Sequence, residues 1–141
     1  MKTVLYPTDC SIESARALKE WLSRQIGEPV NVTIVQPYDI MPDAPLAKAS
    51  FKEAKQLADQ RLSQWVQAAG IAGKATIDAR SILGGAEVLI KSFLALYPYD
   101  LLLVDENGFG LTNGVTAFLN QTLTNLEITV ETDYAVLEQA A

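Results

Sequence analysis

Apolar positions along this chain change period repeatedly, from the short runs and alternation of strands to the 3.6-residue spacing of helices. Val4-Leu5-Tyr6 is a brief apolar run halted by Pro7, and it predicts a first buried strand. Ser11 stands where an N-cap belongs, before a stripe of Ala15, Leu18, Leu22 and Ile26 that stops at Gly27. Val30, Val32, Ile34 and Val35 make a β-branched second strand closed by Pro37. Two prolines and two aspartates between Asp39 and Pro45 predict a loop. Ala54, Leu57, Arg61, Leu62, Trp65 and Ala69 then recur near helical spacing as far as Gly70. Ala75, Ile77 and Ala79 alternate as a third strand, and Gly84-Gly85 opens a helix with Val88, Leu89, Phe93 and Leu96 inward, ended by Pro98. Four consecutive apolar residues, Leu101 to Val104, suit a strand covered on both faces. The last third is ambiguous. Leu119, Leu123, Leu126 and Val130 fall at i, i+4, i+7 and i+11 and predict a helix, whereas Glu127-Ile128-Thr129-Val130 alone reads as a strand. The helical reading places the final strand at Tyr134 to Leu137.

Strand and helix alternate from end to end with no linker or internal repeat, so residues 1–141 are expected to form one α/β domain, a doubly wound three-layer sandwich. With 141 residues, 49% of them hydrophobic, the chain can bury a core without disulfides or metal. It has one cysteine and no histidine, which excludes disulfide scaffolds, zinc ribbons and the Ser-His-Asp and Cys-His catalytic arrangements. A net charge of −6 argues against nucleic acid as a partner. All 11 bases lie between Lys2 and Lys91, and the last 50 residues hold seven acids and no base, so no side-chain cation there can neutralise a phosphate. The N-terminal apolar run is too short for a signal peptide and no apolar stretch reaches 18 residues, so a cytoplasmic chain without a membrane partner is expected.

In doubly wound sheets ligands sit beyond the carboxyl ends of the strands, which directs attention to Pro7 to Cys10, Gln36-Pro37, Ser81 to Gly85 and Asp105 to Gly110. Asp9 suits an Asx-turn or a charge at a helix N-terminus. Cys10 precedes a helix N-terminus, which lowers a thiol pKa, but a small packing residue is the plainer role. Trp21 and Trp65 read as core or interface residues. Asp9, Asp105 and Glu106 are candidate Mg²⁺ ligands if the first and fourth strands are neighbours, although the lysine that phosphotransfer chemistry needs after a later strand is absent. Gly84-Gly85 makes a strand-to-helix turn or an anion site.

Taken together, Val4-Leu5-Tyr6-Pro7-Thr8-Asp9-Cys10-Ser11 with Ser14 and Ala17-Leu18, the strand Val32 to Pro37, and Gly84 to Ile90 followed by Tyr99 to Val104 resemble the universal stress protein family along nearly the whole chain, weakening after Gly108. The resemblance implies a Rossmann-like, five-stranded parallel sheet in the order 3-2-1-4-5 and a homodimer joined through the C-terminal strand. It also implies a division into members that bind ATP and members that do not. Binding members carry Gly-x-x-Gly, about nine residues, then Gly-Ser or Gly-Thr after the fourth strand, so that backbone N–H groups approach the phosphates. Here Asp105 replaces the first glycine, with Glu106 beside it, Gly108 matches the second, and counting back from the last strand puts Asn120-Gln121 at the Gly-Ser pair. Gly110 and Gly114 have the wrong spacing. Pro37 falls where a backbone group reads adenine and has no N–H to offer. Asp9 resembles the aspartate beside the ribose. The implied pocket, Thr8, Asp9, Gln36, Pro37, Asp105, Gly108, Asn120 and Gln121, is thus expected to be degenerate, with no catalytic residue, no metal and no ATP cofactor. The function expected is that of a non-enzymatic stress-response or regulatory dimer that binds a protein partner. The alternatives are a nucleotide sensor with a variant phosphate loop and a metal-dependent acidic-site enzyme.

Overall fold

A computed structural model describes residues 1–25, 27–40, 47–71, 73, 75–105, 107–122 and 127–130. Nine elements alternate: β1 (Lys2–Pro7), α1 (Ile12–Ser23), β2 (Val30–Tyr38), α2 (Lys48–Ala69), β3 (Thr76–Leu83), α3 (Ala86–Leu96), β4 (Leu101–Val104), α4 (Asn113–Thr122) and β5 (Glu127–Val130). Four strands run β3-β2-β1-β4, and β5 adds to the free side of β4, giving the order β3-β2-β1-β4-β5. Among the described residues every pairing is parallel, and the strand order reverses at β1.

Period-two alternation divides the core into two layers. Val4 and Tyr6 of β1, Val32 and Ile34 of β2, and Leu101 and Leu103 of β4 face α1 and α2, where Leu18, Trp21, Leu62 and Trp65 cover them. Leu5, Val35, Leu102 and Val104 face the opposite layer and meet Leu89, Ile90 and Phe93 of α3 with Val115 and Leu119 of α4. β4 is buried on both faces, as its unbroken apolar run requires.

Several boundaries and orientations differ from the sequence expectation. Glu127–Val130 is a strand, not the end of a helix, and α4 stops at Thr122. The segment Tyr134 to Leu137, expected as the last strand, lies outside the described residues. β2 runs through Pro37, which pairs with Ile82 of β3. On the β1 side the ladder ends at the bond from the Thr8 N–H to the Val35 carbonyl, the point past which Pro37 has no N–H to offer. In α3 the inward set is Leu89, Ile90 and Phe93, while Val88 and Leu96 are 65% and 72% exposed. Leu57 of α2 also faces outward.

Candidate functional site

Strand register brings the expected residues together at the carboxyl end of the sheet. Pro7 lies opposite Val35, and Leu5 opposite Leu102, so Thr8, Gln36 and Asp105 follow at one level on three neighbouring strands. All three are buried.

The turn after β1 is a closed set of hydrogen bonds. Thr8 donates its N–H to the Val35 carbonyl at 3.0 Å, and its Oγ1 accepts the Cys10 N–H at 2.9 Å and shares a proton with Ser14 Oγ at 2.7 Å. Tyr6 reaches up from β1 and donates its hydroxyl to the Ser14 carbonyl at 2.6 Å. Asp9 Oδ1 accepts the Ser11 N–H at 3.0 Å, an Asx-turn. Ser11 then caps α1 by accepting the Ser14 N–H at 3.1 Å. Cys10 takes a left-handed conformation at φ 61°, unusual for a residue with a Cβ. Its half-buried thiol donates to Gln36 Oε1 at 2.9 Å, and burial pushes its pKa up to about 11 despite Arg61 close by. Cys10 is therefore a neutral thiol rather than a nucleophile.

Gln36, at the end of β2, is committed to the interior. Its Nε2 donates to the Ala58 carbonyl of α2 at 2.8 Å and to Ser81 Oγ of β3 at 2.9 Å, while Oε1 takes the Cys10 thiol. Both donors are used, so this amide ties α2, β2 and β3 together instead of presenting donors outward.

The loop after β4 closes on its own carboxylate. Asp105 Oδ1 accepts the N–H groups of Asn107 at 3.1 Å and Phe109 at 3.2 Å, and its carbonyl accepts that of Gly108 at 2.9 Å. Gly108 and Gly110 adopt φ 69° and 86°. A Cβ at Gly110 would meet Ile90 Cδ1 at 2.4 Å and Pro7 Cγ at 3.0 Å, so glycine is what lets this loop lie over the end of β1. A second acid approaches from α3. Glu87 accepts the hydroxyl of Thr112, whose Oγ1 in turn accepts the Val115 N–H at 3.2 Å in the first turn of α4. Gly114 leaves the room: a Cβ there would stand 2.0 Å from Glu87 Oε1. The Asp105 carboxylate thus sits where backbone N–H groups of the loop would otherwise be open to an anion, while Glu87, paired with Lys91 at 4.0 Å, holds the Thr112 hydroxyl at the start of α4.

Thr8, Asp9, Gln36, Pro37, Asp105 and Gly108 accordingly gather at one end of the sheet. Asn120 and Gln121 do not; they belong to the second half of α4, with Asn120 exposed. Glu106 lies outside the described residues. Among the described residues no group of three or more Cys, Asp or Glu side chains stands close enough to hold a metal ion, and no helix is long and apolar enough to cross a membrane. Sequence reasoning missed Glu87 and Thr112. An acidic residue two positions after Gly85 reads only as a first-turn charge, and nothing local announces its partner on α4.

No protein-family model matches the chain, and no curated protein matches it in sequence. Solved structures do. The chain is similar to a universal stress protein in complex with cAMP, at 20% identity over 90% of this chain and 95% of that one, with a TM-score of 0.55. It is also similar to UspA from Lactobacillus plantarum, at 15% identity over 92% and 97%, TM-score 0.60. A universal stress family protein from Arabidopsis thaliana with AMP bound matches at 17% identity over 94% and 93%, TM-score 0.58. At these identities the likeness is one of fold.

Proposed function

Starting from a chain with the universal stress protein fold, we propose that it is a stress-response domain, non-enzymatic, whose nucleotide pocket no longer accepts a triphosphate and which acts as a homodimer on a protein partner. One observation carries the reading: the N–H groups of Asn107 and Phe109 are taken by the carboxylate of Asp105. An incoming phosphate has to displace that carboxylate and then sit beside its charge. Gln36, bonded on all sides by protein, has no free donor for a base.

The dimer is proposed through the C-terminal edge of the sheet, where β5 is the last strand in the order of the described residues. Light scattering that returns twice the 15.3 kDa of the chain supports that part, and a monomer at tens of micromolar refutes it.

The relatives bound to cAMP and AMP favour a second reading, in which a nucleoside monophosphate is sensed without a triphosphate loop. Isothermal titration separates the two. Mg-ATP is expected to bind more weakly than about 1 mM, and a Kd below about 50 μM overturns the proposal. Saturable binding of AMP or cAMP alone moves the assignment to the sensor.

A further inference from the structure

Beyond the strand ends, the outer surface holds a groove between α1 and α2 with a cavity of about 480 Å³. Its floor is apolar, with Trp65 and Ala69 buried beneath it, and its lining carries Arg16, Lys19 and Arg61 and no carboxylate. Among the described residues none of these three cations is ion-paired. That sets the groove apart. The larger cavity between α2 and β3, about 750 Å³, contains Lys55 paired with Asp59 at 3.0 Å and Arg80 paired with Asp78 at 2.9 Å. The small cavity beneath the end of α3 has only that same Arg80. On α1, Glu20 is drawn to Arg24 at 3.9 Å and does not line the groove.

The walls are also held in place. Arg61 donates to the Asp9 carbonyl at 2.6 Å, which fixes its guanidinium beside the turn after β1. Trp65 donates its indole N–H to the Ser11 carbonyl at 2.9 Å, which fixes the floor and ties α2 to the start of α1. A chain of net charge −6 thus gathers around one trough three cations that form no ion pair among the described residues.

We propose that this groove binds a small amphiphilic anion, with an apolar body on the alanine and tryptophan floor and a carboxylate held by Arg16, Lys19 and Arg61. Dimensions select a small ligand over a protein partner. From Ile12 to Lys19 the groove follows α1 for about 10 Å at 1.5 Å per residue, the length of an extended eight-carbon chain and far short of the 20–30 residues a side of a stable protein interface. Its volume falls within the ordinary range for such sites. Charge supplies the selection: a neutral molecule of equal length gains the floor alone, and a cation of equal length is repelled.

Octanoate, 1-octanol and octylammonium are the probes, titrated into the whole chain and followed by amide chemical shifts. Octanoate is expected to saturate with a Kd at or below about 1 mM and to move the amides of 12–19 and 61–69. 1-Octanol is expected to bind at least about tenfold more weakly, and octylammonium not at all. The double variant Arg16→Glu, Lys19→Glu changes two exposed side chains, so its unfolding midpoint serves as a check on the fold, and its octanoate affinity is expected to fall at least about tenfold. Arg61→Met, which keeps an apolar stem, is expected to weaken octanoate but not 1-octanol. Equal affinity for octanoate and 1-octanol overturns the proposal, as do shifts confined to the strand ends, an unchanged double variant, or no saturation by 10 mM, about ten times the expected Kd.

Discussion

Replacing Asp105 with glycine removes an internal anion from the loop after β4 and tests whether that anion fills a cradle. Its Oδ1 accepts two N–H groups at 3.1 and 3.2 Å, long for bonds to a charged acceptor, so the lower end of the charge-assisted range applies, about 1.5 kcal/mol each. Added backbone freedom costs a further 0.5–1 kcal/mol or so. Relief from burying a carboxylate offsets part of this, leaving a net loss of roughly 2–3 kcal/mol. In a domain of 141 residues each kcal/mol shifts Tm by about 3–5 °C, so the expected fall is roughly 6–15 °C. The diagnostic step is rescue. If pyrophosphate occupies the vacated N–H groups of Asn107 and Phe109 with a Kd near 1 mM, 10 mM of it returns about 1.4 kcal/mol to the variant and nothing to the parent chain. Thermal unfolding followed by circular dichroism, with and without pyrophosphate, reads both effects. A variant as stable as the parent, or equal stabilisation of both by pyrophosphate, refutes the reasoning. Asp105→Asn, which keeps an acceptor without the charge, is expected to fall between them.

Ser14→Ala takes the shared hydroxyl from the Tyr6–Thr8–Ser14 set in a fully buried position, and urea unfolding is expected to show a loss of about 1–3 kcal/mol. Gly110→Ala forces a Cβ against Ile90 and Pro7 at a positive φ and is expected to cost about 1–3 kcal/mol, checked the same way. Cys10, raised from 9.0 to about 11, carries about a hundredfold less thiolate at pH 8 than an unperturbed thiol, so iodoacetamide should alkylate it that much more slowly in the folded chain. The sign of the accompanying stability term follows from the raised value: it is fully present below about pH 9 and is lost as the pH climbs through about 11.

The existence and order of the first four strands and three helices were legible because apolar runs or stripes are set off by proline or glycine. Pro7, Gly70, Gly85 and Pro98 all stand at element ends. Residues 119–130 carry no such punctuation. Leu119, Leu123, Leu126 and Val130 keep a helical spacing across the end of α4 at Thr122 and the start of β5 at Glu127, so periodicity alone joins two elements. That error propagated into the site. With the last strand at 127 instead of 134, the same backward count moves from 120–121 to 113–114, the beginning of α4, where Thr112 and Gly114 meet Glu87. Val88 and Leu96 failed for a different reason: α3 is apolar around most of its surface, and only its contact with the sheet decides which residues turn inward. Gln36 and Asp105 were identified by position, but their partners are long-range or set by loop geometry, which spacing does not encode.

β1 is made first and lies in the middle of the sheet, and this timing matters while the chain is being synthesised. Val4 and Leu5 find their second neighbours only when Leu101 and Leu102 arrive, and Thr3 is tied to Asp100, 97 residues away. At roughly 5–20 residues per second, one side of this central strand stays without its partner for about 5–20 s on the ribosome. Among the described residues no hairpin shortens the wait, since each strand pairing there is parallel and needs a crossover. The newborn chain therefore depends on α1, β2 and whatever shields an apolar segment in the cell until its fourth strand emerges.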